Sequence, residues 1–425
     1  MLPRESSLIN VDQWINIPAV KRDDDDLSSR EAAEFLGIKL ETLYAYASRG
    51  LVKGASGAKG RGTRYTRSDL EGLRARSAGP AASALRFGEP VLDTRITRMT
   101  SLGPEYRGRN AVELARSGAP FRSVAELLWT GALPEREPRW PDDGPELPAR
   151  ELARLLPDSS PPLAALALAL PALAARDSLR FDARPDAVRA RARRVIPRLA
   201  ASFALALDPS RLGAAQATGD PARALAIALG IPLKKKPLAL LELALVLCAD
   251  HELNASTFAA RVTASTGADL YACLSAGLAA FSGPLHGGAS EQVEVLVRET
   301  GDPARAPAAV ADRMRRGELL PGFGHALYPD GDPRAVPLLE AALALAPRAP
   351  RVRTLAAILA AMEEAGRPKP NVDVALAAAC AALDLPQGMG AAIFAIGRSA
   401  GWVAHVLEQA ETRYVLRPRA RFVGD

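Results

Sequence analysis

The sequence predicts an all-α protein. Aromatic residues make up only 5% of its 425 positions while alanine and leucine dominate, the composition of helices packed on small and γ-branched side chains. From residue 132 to 250 the chain reads as successive apolar segments broken by proline and glycine, as a series of helices requires. A chain of this length carries two or three domains and a sizeable core.

Residues 1–26 hold one isolated apolar piece, around Trp14 to Pro18, and end in four consecutive aspartates, Asp23 to Asp26. Adjacent like charges repel, so this stretch is expected to be a tail or linker. A compact unit then spans 27–77. Ser28 to Glu31 has the form of a capping box, Ala32, Ala33 and Leu36 give a short apolar face, and Gly37 breaks the helix. A second helix runs from Leu40 through Leu43, Tyr44 and Ala47 to Gly50, which makes a helix-turn-helix. Val52 to Tyr65 form a Gly- and Lys/Arg-rich loop, and Thr66 to Asp69 start another helix. Between Leu27 and Ser77 there are ten Lys/Arg and five acids, so this segment holds +5 of the chain's net +6. Ala32-Ala33, Thr42-Leu43-Tyr44 and Arg49-Gly50-Leu51 resemble a winged helix-turn-helix of the MerR type. The resemblance implies DNA binding, with Lys53, Lys59, Arg61 and Arg64 meeting phosphates; docking on a protein is the competing use of such a module.

Residues 78–87 are a short linker rich in Ala, Gly, Pro and Ser. The helical middle that follows includes Leu238 to Leu247, too apolar for a surface helix, and is read as scaffold and dimer interface. Cys248, Cys273 and Cys380 lie in apolar runs without metal-like spacing and read as reduced core residues of a cytoplasmic protein, so no metal or disulfide is expected. The apolar run from Leu163 to Ala175 is too short to span a bilayer, and no basic-then-apolar leader opens the chain.

Three of the four histidines stand in unusual surroundings. His286 lies between Gly283-Pro284 and Gly287-Gly288, on a bent backbone just ahead of a helix predicted from Ala289; positive charge at a helix start favours a neutral imidazole there, able to donate to a developing oxyanion. His251 sits in Asp250-His-Glu-Leu-Asn-Ala-Ser-Thr257, where Asn254, Ser256 and Thr257 offer capping groups. His325 sits in Gly322-Phe-Gly-His-Ala-Leu-Tyr-Pro-Asp-Gly-Asp-Pro-Arg334. Asp373, in Pro370-Asn-Val-Asp373, adjoins the apolar run Val374 to Ala379, which favours a raised carboxyl pKa by desolvation.

With Gly397-Arg-Ser-Ala-Gly-Trp402, these stretches resemble the citrate synthase family, in order and without a missing motif, from about Arg86 to the C-terminus. The resemblance implies a large helical domain (88–287 and 389–425) and a small one (288–388) that close around oxaloacetate before acyl-CoA is used. It implies Asp373 as the base, His286 as donor to the thioester oxygen and His325 as donor to the keto carbonyl. It places the substrate carboxylates on Arg334 and Arg398 with help from His251. Arg417 matches an arginine reaching into the neighbouring subunit of a homodimer. The loop Leu320, Gly322, Phe323, Gly324 resembles the segment against the CoA adenine, its glycines leaving room for close approach. Ala326 and Leu327 depart from the usual bulky basic residue and valine, which puts the CoA contacts in question.

Joining an acyl-CoA to a 2-keto acid needs a base, donors for the enol(ate) and cations for the carboxylates, and no metal or redox cofactor. The expected activity is condensation of acetyl-CoA with oxaloacetate. One methylene is worth only about 1–3 kcal/mol, so propionyl-CoA, the 2-methylcitrate synthase variant, is a near alternative. A DNA-binding regulator with a metabolite-sensing synthase-like domain is the alternative from another class.

Overall fold

The structure is a computed structural model that describes residues 26–36, 38–48, 52, 54–56, 63–66, 70, 92–157, 160–412, 414–419 and 422. It divides into two compact units, residues 1–93 and 94–425.

In the first unit, β1 (Asp26–Ser28) leads into α1 (Ser29–Leu36) and α2 (Leu40–Ser48), followed by β2 (Gly54–Ser56) and β3 (Thr63–Thr66). The capping box is present: the Ser28 backbone N–H donates to Glu31 Oε2 at 2.8 Å, and the Glu31 N–H to Ser28 Oγ at 3.4 Å. The three strands form one antiparallel sheet in the order β1-β3-β2, with β3 pairing on both sides. Its small core joins Ala32, Ala33, Leu43, Val52, Tyr65 and Leu70. Tyr44, expected on the apolar face of α2, is exposed. Asp26, expected in the tail, opens β1, and Thr66, expected to start a helix, closes β3 instead; the rest of the tail, the linker and residues 67–69 lie outside the described residues.

The second unit opens with a small antiparallel sheet, β4 (Thr97–Thr100), β5 (Gly103–Tyr106) and β6 (Arg109–Asn110). Everything after it is helical. The first run comprises α3 (Ala111–Arg116), α4 (Phe121–Thr130), α5 (Ala149–Ala153), α6 (Pro162–Ala174), α7 (Pro185–Ser202), α8 (Ala204–Leu207), α9 (Leu212–Gln216) and α10 (Pro221–Leu229). Next come α11 (Lys235–Cys248), α12 (Ala255–Ser265) and α13 (Leu270–Phe281). A further set, α14 (Ala289–Thr300), α15 (Ala306–Arg315), α16 (Ala335–Leu345), α17 (Pro350–Glu364) and α18 (Val372–Ala382), precedes the closing helix α19 (Met389–Glu411).

The apolar stretch predicted to be buried is the second half of α11, where Leu240, Leu241 and residues 244–248 are inaccessible to solvent. All three cysteines are buried in the same core.

Helix α19 is the axis of this unit, packing against α4, α6, α7, α11, α12, α13, α14 and α18. Its approach to α11 is set by glycine. A Cβ on Gly397 would stand 2.8 Å from the Leu245 carbonyl oxygen, and one on Gly401 only 2.3 Å from Asp250 Oδ1, so any larger residue would push the helices apart. Among the described residues α19 alone is long and apolar enough to cross a membrane, and its apolar window is wholly buried in the protein. The consequence for function is positional: α19 lies directly beneath the end of α11 that carries residues 248–251.

Candidate active site

His286 occupies a turn closed by backbone bonds, its own N–H donating to Gly283 O at 3.0 Å and the Gly287 N–H to Phe281 O at 2.9 Å. α14 begins at Ala289, as the sequence suggests. Gly287 is small for a reason internal to the fold: a Cβ there would lie 2.2 Å from the Phe281 ring. The Phe281 ring packs edge-on against His286, centroids 5.1 Å apart. On the other side His286 Nε2 lies 2.9 Å from Ser256 Oγ and 3.2 Å from Asn254 Oδ1. Both groups belong to the start of α12, where Asn254 is the N-cap, accepting from the Thr257 N–H at 3.1 Å. The Trp402 indole N–H of α19 donates to the same Ser256 Oγ at 3.1 Å. Burial, with Arg398 nearby, pushes the His286 pKa down to about 4. The ring is therefore neutral at physiological pH, through desolvation and a neighbouring cation where the sequence suggested a helix terminus.

His251 follows the last turn of α11, and its ring meets those of His325 and Tyr328 edge-on, at centroid distances of 5.4 and 5.8 Å. Tyr328 also lies against His325 at 4.8 Å, and its hydroxyl is 3.4 Å from His251 Nε2. Burial holds the His251 pKa well below the ordinary range, reinforced by Arg334, Arg398, His325 and His286. His325 is shifted the same way, by burial and then Arg334. The Leu327 backbone N–H donates to His325 Nδ1 at 3.1 Å. A backbone N–H only donates, so the proton of the neutral ring sits on Nε2, which is left as a donor.

Two arginines flank these rings. Arg334 is buried and gripped by Asp332 through Nε at 3.0 Å and a terminal nitrogen at 2.8 Å. The same Asp332 accepts the Val372 N–H at 3.0 Å, so it ties Arg334 to the start of α18. Arg398 has no exposed surface; its Nε donates to Cys248 O at 3.0 Å, while Nη1 and Nη2 have no protein partner. A buried guanidinium with two unpaired nitrogens is a ready receptor for a carboxylate. Asp373, the second residue of α18, is half-buried, and its Oδ1 is shielded from solvent without a protein partner. Burial pushes its pKa up to about 7 against the pull of Arg334, with Asp332 adding to the rise. That is a carboxyl poised to exchange a proton near neutrality.

Arg398 is the charge shared by His251, His286 and Asp373, and Arg334 the one shared by His251, His325 and Asp373, so the two guanidinium groups connect all three histidines to the carboxyl. The loop Leu320, Gly322, Phe323, Gly324 is tied to the residues ahead of Asp373: the Gly324 N–H donates to Lys369 O at 2.9 Å and the Asn371 N–H to Gly322 O at 2.8 Å. The room expected beside its glycines is only partly there. A Cβ on Gly322 would lie 2.5 Å from Val374 and 2.6 Å from Val293, and the Leu320 side chain is packed into the core. Arg417 is exposed, in a segment anchored by the Leu416 N–H on Ser265 Oγ at 3.0 Å. Ser265 ends α12 whereas Asn254 and Ser256 begin it, about 15 Å away at 1.5 Å per residue. Arg417 is therefore carried at the end of α12 opposite the one that meets His286. Of the four basic residues picked out in the first unit, Arg64 is exposed on β3, and Lys53, Lys59 and Arg61 lie outside the described residues.

Asn254, Ser256, Asp332, Tyr328 and Trp402 belong to the site yet carried no assigned chemistry in the sequence. All stand inside the stretches already singled out, and only their tertiary partners reveal what they do. A groove of about 720 Å³ between α3, α11 and α16, lined by Lys236, Glu242 and Glu340 among others, holds none of the three histidines.

Residues 86–419 match the family model for the citrate synthase C-terminal domain, and residues 27–77 match a helix-turn-helix domain. A citrate synthase of Haloferax volcanii is 35% identical over 342 residues, covering 75% of this chain and 89% of the relative. A 2-methylcitrate synthase of Shewanella oneidensis is 38% identical over 189 residues, 43% of this chain and 50% of the relative. Among solved structures, the ternary complex of Thermoplasma acidophilum citrate synthase with carboxymethyl coenzyme A and oxaloacetate superposes with a TM-score of 0.69 at 28% identity, over 79% of this chain and 94% of that one. The family model spans most of the chain and a full-length relative matches it, so the chain belongs to the citrate synthase family, preceded by a helix-turn-helix domain.

Proposed function

We propose that the protein condenses acetyl-CoA with oxaloacetate to give citrate and CoA. The observation that carries this reading is Asp373, whose carboxyl pKa is raised to about 7 within the field of Arg334 and Arg398, the latter with two open guanidinium nitrogens. Oxaloacetate binds by its carboxylates on Arg398 and Arg334, with His251 beside them. His325 donates its Nε2–H to the keto oxygen. Asp373 takes a proton from the thioester methyl group while His286 donates to the thioester oxygen, and the enol carbon attacks the polarised keto carbon. The alkoxide takes its proton from His325, and water then cleaves the citryl thioester, releasing CoA. Every proton has a residue to come from or go to, so the reaction needs no metal or redox cofactor.

His286 donates from Nδ1 only if Nε2 accepts. Trp402 and Thr257 supply donors to Ser256 Oγ and Asn254 Oδ1, so the one movable proton of the cluster is that of Ser256. In the structure that proton is donated to Asn254 Oδ1 at 2.7 Å; turned to His286 Nε2 instead, it leaves the N–H on Nδ1.

Arg417, carried at the far end of α12, is assigned to the neighbouring site of a homodimer, and residues 288–388 to a small domain closing on the rest. The loop Leu320, Gly322, Phe323, Gly324 takes the CoA end of the thioester. The first unit is assigned to DNA, with Arg64, Lys53, Lys59 and Arg61 on phosphates, in a cytoplasmic protein that works as enzyme and DNA-binding partner together. The resemblance to a 2-methylcitrate synthase keeps propionyl-CoA as the second acyl donor to try. The test is release of free CoA, followed with a thiol reagent, from acetyl-CoA or propionyl-CoA plus oxaloacetate. Turnover with acetyl-CoA at the higher kcat/KM supports the proposal; preference for propionyl-CoA moves it to the second reading. No turnover with either, alongside salt-dependent DNA binding, would favour a regulator.

A further inference from the structure

The condensation uses three histidines and leaves the fourth without a task. His405 lies on α19 with its side chain fully buried, and its Nε2 is 3.3 Å from Oδ2 of Asp250, itself fully buried. Asp250 is the residue before His251. Its Oδ2 also accepts the Glu252 N–H at 3.1 Å, holding closed a turn in which Glu252 takes a left-handed φ of 55°. The Asp250 backbone N–H donates to the Tyr106 hydroxyl at 3.2 Å. One carboxylate thus sets the backbone on which the His251 ring is mounted.

The grip from α19 is continuous along that segment. Arg398 Nε donates to Cys248 O at 3.0 Å, the Gly401 N–H to Ala249 O at 2.9 Å, and His405 meets Asp250. Residues spaced at i, i+3 and i+7 share one helix face, and here they hold three successive residues ending beside His251. A substrate carboxylate on Arg398 and a ring at position 251 are thereby referred to the same rigid helix.

We propose that His405 is a positioning residue for oxaloacetate: acting through Asp250, it fixes the turn that aims His251 at the keto acid. This rests on the condensation reading. It makes oxaloacetate affinity, and not the acyl-CoA side, sensitive to a residue that touches no substrate.

The test compares His405→Asn with His405→Gln in the full-length protein, each alone and in a His251→Ala background. Gln carries its amide nitrogen far enough to replace Nε2, and Asn falls one methylene short. Calorimetry with oxaloacetate and steady-state kinetics are the readouts. His405→Asn should weaken oxaloacetate binding about tenfold, in Kd and KM alike, with KM for acetyl-CoA within about twofold of the parent; His405→Gln should restore most of the loss. With His251 already replaced, the Asn change should add less than about twofold, because coupled residues are not additive. Equal losses from Asn and Gln, a loss that persists undiminished without His251, or no loss from Asn would each overturn the proposal. If the Asn chain does not fold, Asp250→Asn takes its place in the same cycle and is judged by the same criteria. Failure of the unaltered protein to bind oxaloacetate or to release CoA would refute the condensation reading itself, which the His405 comparison then could not be mistaken for.

Discussion

Arg398→Met separates what this arginine does for the fold from what it does for the ligand. In the folded protein its two terminal nitrogens are buried without a protein partner, and burial lowers its pKa. Leaving each such group unpaired costs about 1–3 kcal/mol, so the pair costs about 2–6 kcal/mol. Against this, the side chain makes one charge-assisted bond to Cys248 O and stacks its guanidinium 4.9 Å over the Phe394 ring, contacts worth together roughly 2–5 kcal/mol. The two sides nearly cancel, so methionine, of similar length, should leave stability within about 1–2 kcal/mol of the parent. At about 2.1 cal/mol/K per residue, a unit of some 330 residues converts that to about 1.5–3 °C in Tm. Oxaloacetate is different: two charge-assisted bonds of about 1.5–3 kcal/mol each amount to a loss of roughly 10²- to 10⁴-fold in affinity. Thermal melting with and without oxaloacetate reads both quantities in one experiment. The variant should melt near the parent and show no ligand-induced rise. A melt lowered by 10 °C, or a ligand-induced rise equal to the parent's, would refute the assignment of Arg398 to the substrate carboxylate.

The pH dependence follows from Asp373. Its pKa of about 7 in the folded protein exceeds the ordinary 3.8, so the carboxylate needed as base appears only as pH rises through about 7. Turnover should fall on the acid side with an apparent pKa near 7, and His286, neutral above about 4, should add no second limb between pH 5 and 9. The same shift means that the folded state holds a proton the unfolded chain has lost, so Asp373 destabilises the fold as pH rises through that window. Asp373→Asn should therefore melt above the parent at pH 8, measured by calorimetry. Ser256→Ala removes the group 2.9 Å from His286 Nε2 and should lower kcat about 10- to 100-fold with little change in KM for oxaloacetate, checked by steady-state kinetics. Tyr328→Phe deletes only the hydroxyl 3.4 Å from His251 and should raise KM for oxaloacetate about 2- to 10-fold. Gly401→Ala sets a methyl group 2.3 Å from Asp250 Oδ1 and should cost about 1–3 kcal/mol in urea unfolding.

How far the sequence could be read depended on whether a residue's role was local. His286 stood out because glycine and proline surround it, and α14 starts where the pattern changes at Ala289. The Ser28–Glu31 capping box and the buried half of α11 were equally visible, since helix caps and apolar runs are written in neighbouring residues. His286 and Ser256, by contrast, are 30 positions apart, and His405 and Asp250 are 155 apart. No spacing rule joins such pairs; the packing of α12 on α13 brings the first together, and the docking of α19 on the end of α11 the second. Glycine misled in one place: Gly322 suggested space for a ligand, and the fold fills much of it with Val293 and Val374. The neutral state of His286 was legible from the helix start, whereas burial and Arg398, over a hundred residues away, which push its pKa down, were not.

Asp373 is the carboxylate proposed to start carbon–carbon bond formation, in a cleft shared with His286 and His325. Nuclear magnetic resonance of the product formed from methyl-¹³C acetyl-CoA and oxaloacetate tests it most directly, on the full-length protein and on Asp373→Asn. The account predicts labelled citrate from the first, and from the second a rate lower by at least about 10³-fold with oxaloacetate binding retained. Labelled citrate produced at comparable rates by both proteins would contradict it.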